Sequence, residues 1–329
     1  MKSVFLALAV WCCLVCPAQA GKPLVGFITG TPGLGDASFN DMAHQGVLKA
    51  QQDFGFDLEV LQPKADGEAD AAEVRQLVDR AGVIVLLGAQ HLELAKAAAL
   101  AHPEKTFILM DVPCEGIANM SSVLFRQHEG AFLAGALAAS VSATGKIGFV
   151  GGAEILPVKA FEQGYREGAA YAKPGTAVLV AYASPEGDYS GFSNPEKGYR
   201  LAMDQYGQGA DIVFAAAGRT GNGVIKAASD SGRLVIGVDS DQDALAKGTV
   251  LTSVIKRLDT AVCNEIKKVM DKAFVPGPSS YGLKDGGVRL SDMAYTRDKV
   301  PDAVMNRIAE IREKIISGEI TVTNAMARE

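Results

Sequence analysis

Several polar residues stand at the ends of apolar runs, where a side chain can reach a bound molecule. Asp111 closes the run Phe107-Ile108-Leu109-Met110, and a carboxylate there can accept hydrogen bonds from ligand N–H or O–H groups. Asp239 opens the polar cluster Asp239-Ser240-Asp241-Gln242 after Leu234 to Val238, and one carboxylate can hold two hydroxyls of a sugar at once. Lys256 follows Ser253-Val254-Ile255; its ammonium can donate to a ligand oxygen or pair with Asp239. The run Ile212-Val213-Phe214 leads into small residues, Ala215 to Gly218, then Arg219-Thr220-Gly221. These leave room for a ligand or for a close backbone approach. The glycine-rich loop Gly30 to Asp41 enters a helix, and amides at a helix start can bind an anion. It matches neither the G-x-G-x-x-G nor the G-x-x-x-x-G-K-[ST] order, which argues against a nucleotide phosphate. Phe39 in that loop can stack on a flat ligand or staple onto the helix it precedes.

Catalysis finds less support. The four histidines, His44, His91, His102 and His128, lack metal-ligand spacing. Asp239-x-Asp241 near a strand end is more often structural than an acid–base pair, and no neighbouring pattern activates Cys114 or Cys263. The net charge of −6 comes without a Lys/Arg block, so nothing calls for nucleic acid.

These residues need a frame. Short β-rich runs alternate with helical patterns: strand Pro23 to Thr29, helix Asn40 to Phe54, strand Asp57 to Leu61, helix Ala69 to Arg80, strand Val83 to Leu87. The last, VIVLL, is the unbroken apolar run of a parallel strand buried on both faces. The rhythm continues through Phe125 and restarts at Lys146, predicting a second α/β unit of similar size. The fold class is therefore α/β, with two doubly wound parallel-sheet lobes joined by a hinge. Ligands of such sheets sit at the carboxyl ends of the strands, so the polar residues above converge on one cleft. Tyr281 to Leu290 reads as an extended hairpin, and Asp302 to Ser317 as a closing helix with Gly318 as its stop.

The first residues predict export. Lys2, the apolar run Val4 to Val15 and Ala18-Gln19-Ala20 form a signal peptide, residues 1–20, cleaved to leave Gly21 first. The run is too short to span a bilayer. Cys16 offers a lipid attachment point, but Val15 before it fits poorly, and the free periplasmic form is favoured. Cys114 and Cys263 could form one disulfide, though spacing alone does not establish it.

Five ordered motifs carry a resemblance over nearly the whole mature chain: SFND (Ser38 to Asp41), FRQHEGAFLAG (Phe125 to Gly135), TGNG (Thr220 to Gly223), GVDSDQ (Gly237 to Gln242) and TSVIKRLD (Thr252 to Asp259). Together they resemble the basic membrane protein, or PnrA-like, family of ABC-transporter substrate-binding proteins. The resemblance implies the periplasmic-binding-protein type I fold, with one lobe at 21–124 plus 255–279 and the other at 125–254 plus 280–329. It implies a purine nucleoside or related base as ligand, a membrane permease and ATPase as partners, no cofactor and no catalysis. Phe39 and Phe214 would sandwich the base, Asn40 and Asp111 would read its edge, Asp239 would hold ribose hydroxyls with Lys256 assisting, and the Gly218 to Gly221 turn would approach the sugar. Two positions depart from the family's pattern. Arg219 replaces a common glycine; its side chain would fill ribose space, pair with an anionic ligand or point to solvent. His44 stands where an aromatic such as Trp is common. A secreted nucleosidase and a ligand sensor for a membrane receptor are the alternative readings.

Overall fold

A computed structural model describes residues 22–63 and 69–327; the leader, with Cys16, lies outside the described residues. In chain order the elements are β1 (Leu24–Ile28), α1 (Phe39–Phe54), β2 (Asp57–Leu61), α2 (Ala71–Arg80), β3 (Val83–Leu87), α3 (Leu92–Ala101), β4 (Thr106–Met110) and β5 (Met120–Phe125). There follow α4 (Gln127–Val141), β6 (Lys146–Ala153), α5 (Leu156–Ala172), β7 (Ala177–Ser184), α6 (Pro195–Gly207), β8 (Ile212–Ala216), α7 (Arg219–Ser231) and β9 (Leu234–Asp239). The chain ends with β10 (Val250–Lys256), α8 (Leu258–Met270), β11 (Gly277–Tyr281), β12 (Val288–Leu290) and α9 (Asp302–Ser317).

The strands form two six-stranded sheets with one topology used twice: β2-β1-β3-β4-β5-β11 and β7-β6-β8-β9-β10-β12. Every pairing is parallel except β10 with β12. Strands β3, β8 and β10 are buried along their whole length, and β3 and β8 accordingly read as unbroken apolar runs. In each sheet the strand order reverses beside the first strand, between β1 and β3 and between β6 and β8. That reversal opens a crevice at the carboxyl edge.

Local chemistry sets the boundaries of the helices. Asp70 caps α2 by accepting from the Ala72 and Glu73 amides. Gly318 ends α9 in the left-handed region at φ 82°, where a side chain would be strained. Helices α4 and α5 lie almost backbone to backbone. A Cβ on Gly168 would fall 1.9 Å from the Phe132 carbonyl oxygen, and one on Gly135 would fall 2.0 Å from that of Tyr165. The small-residue run of α4 is thus a packing surface.

The chain passes between the sheets after β5, after β10 and between β11 and β12. The last passage corrects the hairpin expected at Tyr281 to Leu290. β11 pairs with β5 in the first sheet, and β12 pairs with β10 in the second. The local pattern of two short runs around Gly286-Gly287 suits a hairpin, but both runs find longer partners elsewhere. The three passages are tied together: the Arg126 amide donates to Tyr281 O (2.7 Å) and the Arg257 amide to Gly287 O (2.9 Å). Cys114 and Cys263 are buried and unbonded to each other. Among the described residues no helix is long and apolar enough to cross a membrane.

Candidate functional site

The carboxyl ends of the two sheets face each other across a cavity lined from both lobes. Its polar floor comes from Asp111 after β4, Asp239 at the end of β9 and Lys256 at the end of β10. Its apolar walls come from Phe39 at the start of α1, Val158 and Phe161 on α5, and Phe192 beyond β7.

Lys256 is 2% exposed and donates to Asp111 Oδ2 at 2.7 Å. Its ammonium also lies 4.9 Å from the ring centre of Phe39, 5.3 Å from Phe125 and 5.6 Å from Phe161. A desolvated ammonium gains from such aromatic faces. The pair lies across the cleft, Lys256 on the second sheet and Asp111 on the first. The sequence allowed a pair with Asp239; the direct partner is Asp111.

Asp111 and Asp239 both adopt left-handed backbone, at φ 66° and 64°. Asp tolerates this region better than most residues, yet it costs free energy. Oδ1 of Asp111 is buried without a hydrogen-bond partner. Burial raises the Asp111 pKa, against the opposing pull of Lys256. Burial also pushes Asp239 up to about 6, opposed by Lys256 and by a hydrogen bond from Ser38 Oγ (2.6 Å to Oδ2).

Asp36 also lines the cavity, but its carboxylate is spent on the loop. Oδ1 accepts from the Ser38 and Asp41 amides, and Oδ2 from the Asn40 amide and side chain. Burial raises its pKa, and these backbone bonds work the other way.

The nine residues singled out in the sequence divide into two groups. Phe39, Asp111, Gly218, Asp239 and Lys256 line the cavity. The others lie elsewhere. Asn40 is wholly buried, with Oδ1 accepting from the Gly30 amide (2.8 Å) and Nδ2 donating to Asp36 (2.9 Å); it holds the loop rather than facing a ligand. Phe214 is 0% exposed beneath the site, 5.3–5.8 Å from the rings of Tyr165, Phe149 and Phe161. It points into the lobe core because alternate residues of a strand face opposite sides. Gly221 sits in the first turn of α7, its amide bonded to Gly218 O. Arg219 reaches across to the other lobe, donating to Leu34 O at 2.8 Å, and does not line the cavity. His44 stacks on Phe27 at 5.7 Å in the first lobe, also outside the cavity.

Phe161, Phe192, Val158 and Gln90 escaped the sequence reading. The signal was present. The rule that strand ends face the cleft, applied also to the segments after β3, β6 and β7, would have selected them.

The family model described as ABC transporter substrate-binding protein PnrA-like matches residues 24–325. Basic membrane protein A of Borreliella afzelii is 34% identical over 322 residues, covering 92% of this chain and 92% of that protein. The ABC transporter nucleoside-binding protein BmpA of Lactococcus lactis subsp. cremoris is 30% identical over 321 residues, covering 90% and 87%. A crystal structure of an ABC transporter system solute-binding protein from Aeropyrum pernix K1 aligns with a TM-score of 0.83 at 28% identity, covering 92% of this chain and 93% of that one.

Proposed function

Because the chain belongs to the PnrA-like family of ABC transporter substrate-binding proteins, we propose that it binds a purine nucleoside, or a related purine base, in the interlobe cavity. Members of this family hold a small-molecule ligand outside the cytoplasm, work with a membrane permease and ATPase, and are not enzymes. Secretion through cleavage after Ala20 and delivery of a purine are the finer parts of the proposal.

The observation that carries the reading is the unpartnered Oδ1 of Asp111, a residue that lines a largely apolar cavity together with Phe39. A buried acceptor without a donor is costly, so the site favours a ligand that brings an N–H or O–H there. Phe39 stacks on one face of the base, opposite Phe161 or Phe192. Stacking of this kind is worth about 1–3 kcal/mol per base. Asp111 accepts from the base edge with Lys256 beside it. Asp239 takes the sugar hydroxyls next to the Gly218 turn. With Arg219 drawn to Leu34, its side chain leaves the sugar's share of the cavity clear.

Thermal-shift titration of the protein from Gly21 onward with nucleosides, purine bases and oxidised purines tests this. Stabilisation by one of them, with the compound recovered uncleaved, is expected. No shift with any purine would overturn the ligand class, and recovery of free base and sugar would overturn the binding-protein reading.

A further inference from the structure

Five donors tie the lobes together around one short loop. Ser38 Oγ donates to Asp239, which lines the cavity. Outside it, Arg219 Nη2 donates to Leu34 O (2.8 Å), Ser240 Oγ to Ala37 O (2.6 Å), Gln242 Nε2 to the same Ala37 O (3.0 Å), and Asn222 Nδ2 to Asp36 O (3.5 Å). Arg219, Asn222, Ser240 and Gln242 belong to the second lobe, and none lines the cavity. Their acceptors are main-chain oxygens of the first lobe's loop Leu34 to Ala37. Ala37 itself is held at φ 53°, a region an alanine rarely adopts. The same loop is braced from within: Asp41 accepts from the Gly35 and Ala37 amides, and Asp36 takes four further bonds. The loop is therefore a rigid hook presenting carbonyl groups, and the second lobe carries the donors that catch it.

We propose that this hook is a latch: Arg219, Ser240 and Gln242 are positioning residues that hold the lobes shut without touching the ligand, and they set how long a ligand stays bound. The proposal rests on the cleft being the ligand site. A closure that ligand contacts alone drive is absent from the free protein. A closure supported by lobe-to-lobe bonds is populated beforehand, and apparent affinity rises with that population. Removing the latch therefore weakens every ligand by a similar factor and leaves their order unchanged. Hydrogen bonds to a charged donor carry the larger share, so Arg219 dominates.

The test compares wild type with Arg219→Ala and with the triple variant Arg219→Ala, Ser240→Ala, Gln242→Ala. Small-angle scattering of ligand-free protein is the first readout, and it needs no ligand. The wild type is expected to be compact and the triple variant expanded. Equal dimensions for the two overturn the latch. Dissociation rates of adenosine, guanosine and inosine are the second readout. An increase of about tenfold for every nucleoside that binds, with their ranking kept, is expected for Arg219→Ala. Unchanged rates, or a reordered ranking, overturn it; reordering would place the guanidinium in the site. If none of these nucleosides binds the wild type, the purine reading fails while the scattering comparison still decides the latch. Unfolding midpoints close to wild type in both variants exclude a folding defect, and Arg219→Ala alone serves for the scattering comparison if the triple variant unfolds.

Discussion

Asp111 and Asp239 occupy the same place in the two lobes. Each follows or ends the fourth strand of its sheet in chain order, β4 or β9, and each holds left-handed backbone, at φ 66° and 64°. The repeated topology brings both to one cavity, with Lys256 bonded to the first and close enough to the second to oppose its rise in pKa. One buried ammonium thus serves two buried carboxylates.

Lys256→Met is expected to remove that compensation. Asp111 and Asp239 would then be buried near each other without a cation. Breaking a buried pair by deleting one partner costs about 3–5 kcal/mol. Denaturant unfolding at neutral pH should show a loss of this size, larger than at pH 4, where Asp239, with its pKa of about 6, is protonated and needs no cation. An equal loss at both pH values would contradict it.

The pH dependence has a definite sign at Asp239. Its folded pKa is about 6, above the ordinary 3.8, so the folded state holds this proton more tightly than the unfolded chain. The associated stability is full below about 4 and is lost as pH rises towards 6. Asp239→Asn should flatten that part of the stability curve, since Asn also tolerates the left-handed region. A ligand giving hydroxyls to the ionised carboxylate should bind the wild type more tightly as pH rises through 6. Calorimetric titration from pH 5 to 8 checks this, and a flat affinity profile would count against Asp239 as the hydroxyl acceptor.

Phe39 and Phe214 should behave in opposite ways. Phe39 is partly exposed in the cavity wall, and Phe39→Ala should weaken a purine ligand about tenfold or more with little change in stability. Phe214 is core, and Phe214→Ala should cost about 3–5 kcal/mol of stability. Binding and unfolding measured on both variants separate the roles; a stable Phe214→Ala protein with lost binding would return this ring to the site.

Asn40→Ala should act on the loop rather than on ligand choice. It strips the buried Gly30 amide of its acceptor and Asp36 of a donor. A buried group left unsatisfied costs about 1–3 kcal/mol. All purines should weaken together, and selective loss of one would assign Asn40 to recognition.

Much of this protein is written locally in the chain. The alternation of apolar runs and helical patterns is a short-range property, and it specified two α/β lobes because runs like VIVLL, set between helices, suit strands buried on both faces of a parallel sheet. Asp111, Asp239 and Lys256 were legible for the same reason: each is the first polar residue after, or the last within, a buried strand, and strand ends face the crevice. What the chain could not state by itself was side-chain direction and long-range pairing. Phe214 and Asn40 lie within one or two residues of cavity-facing positions, yet strand alternation turned one into the core and the Asp36 loop claimed the other. Tyr281 and Val288 looked like hairpin partners until β5 and β10 competed for them. Arg219 was ambiguous between pocket and solvent, and its acceptor, the Leu34 carbonyl, lies 185 positions away. Distances of that kind are set when two lobes close on each other, and no local pattern encodes them.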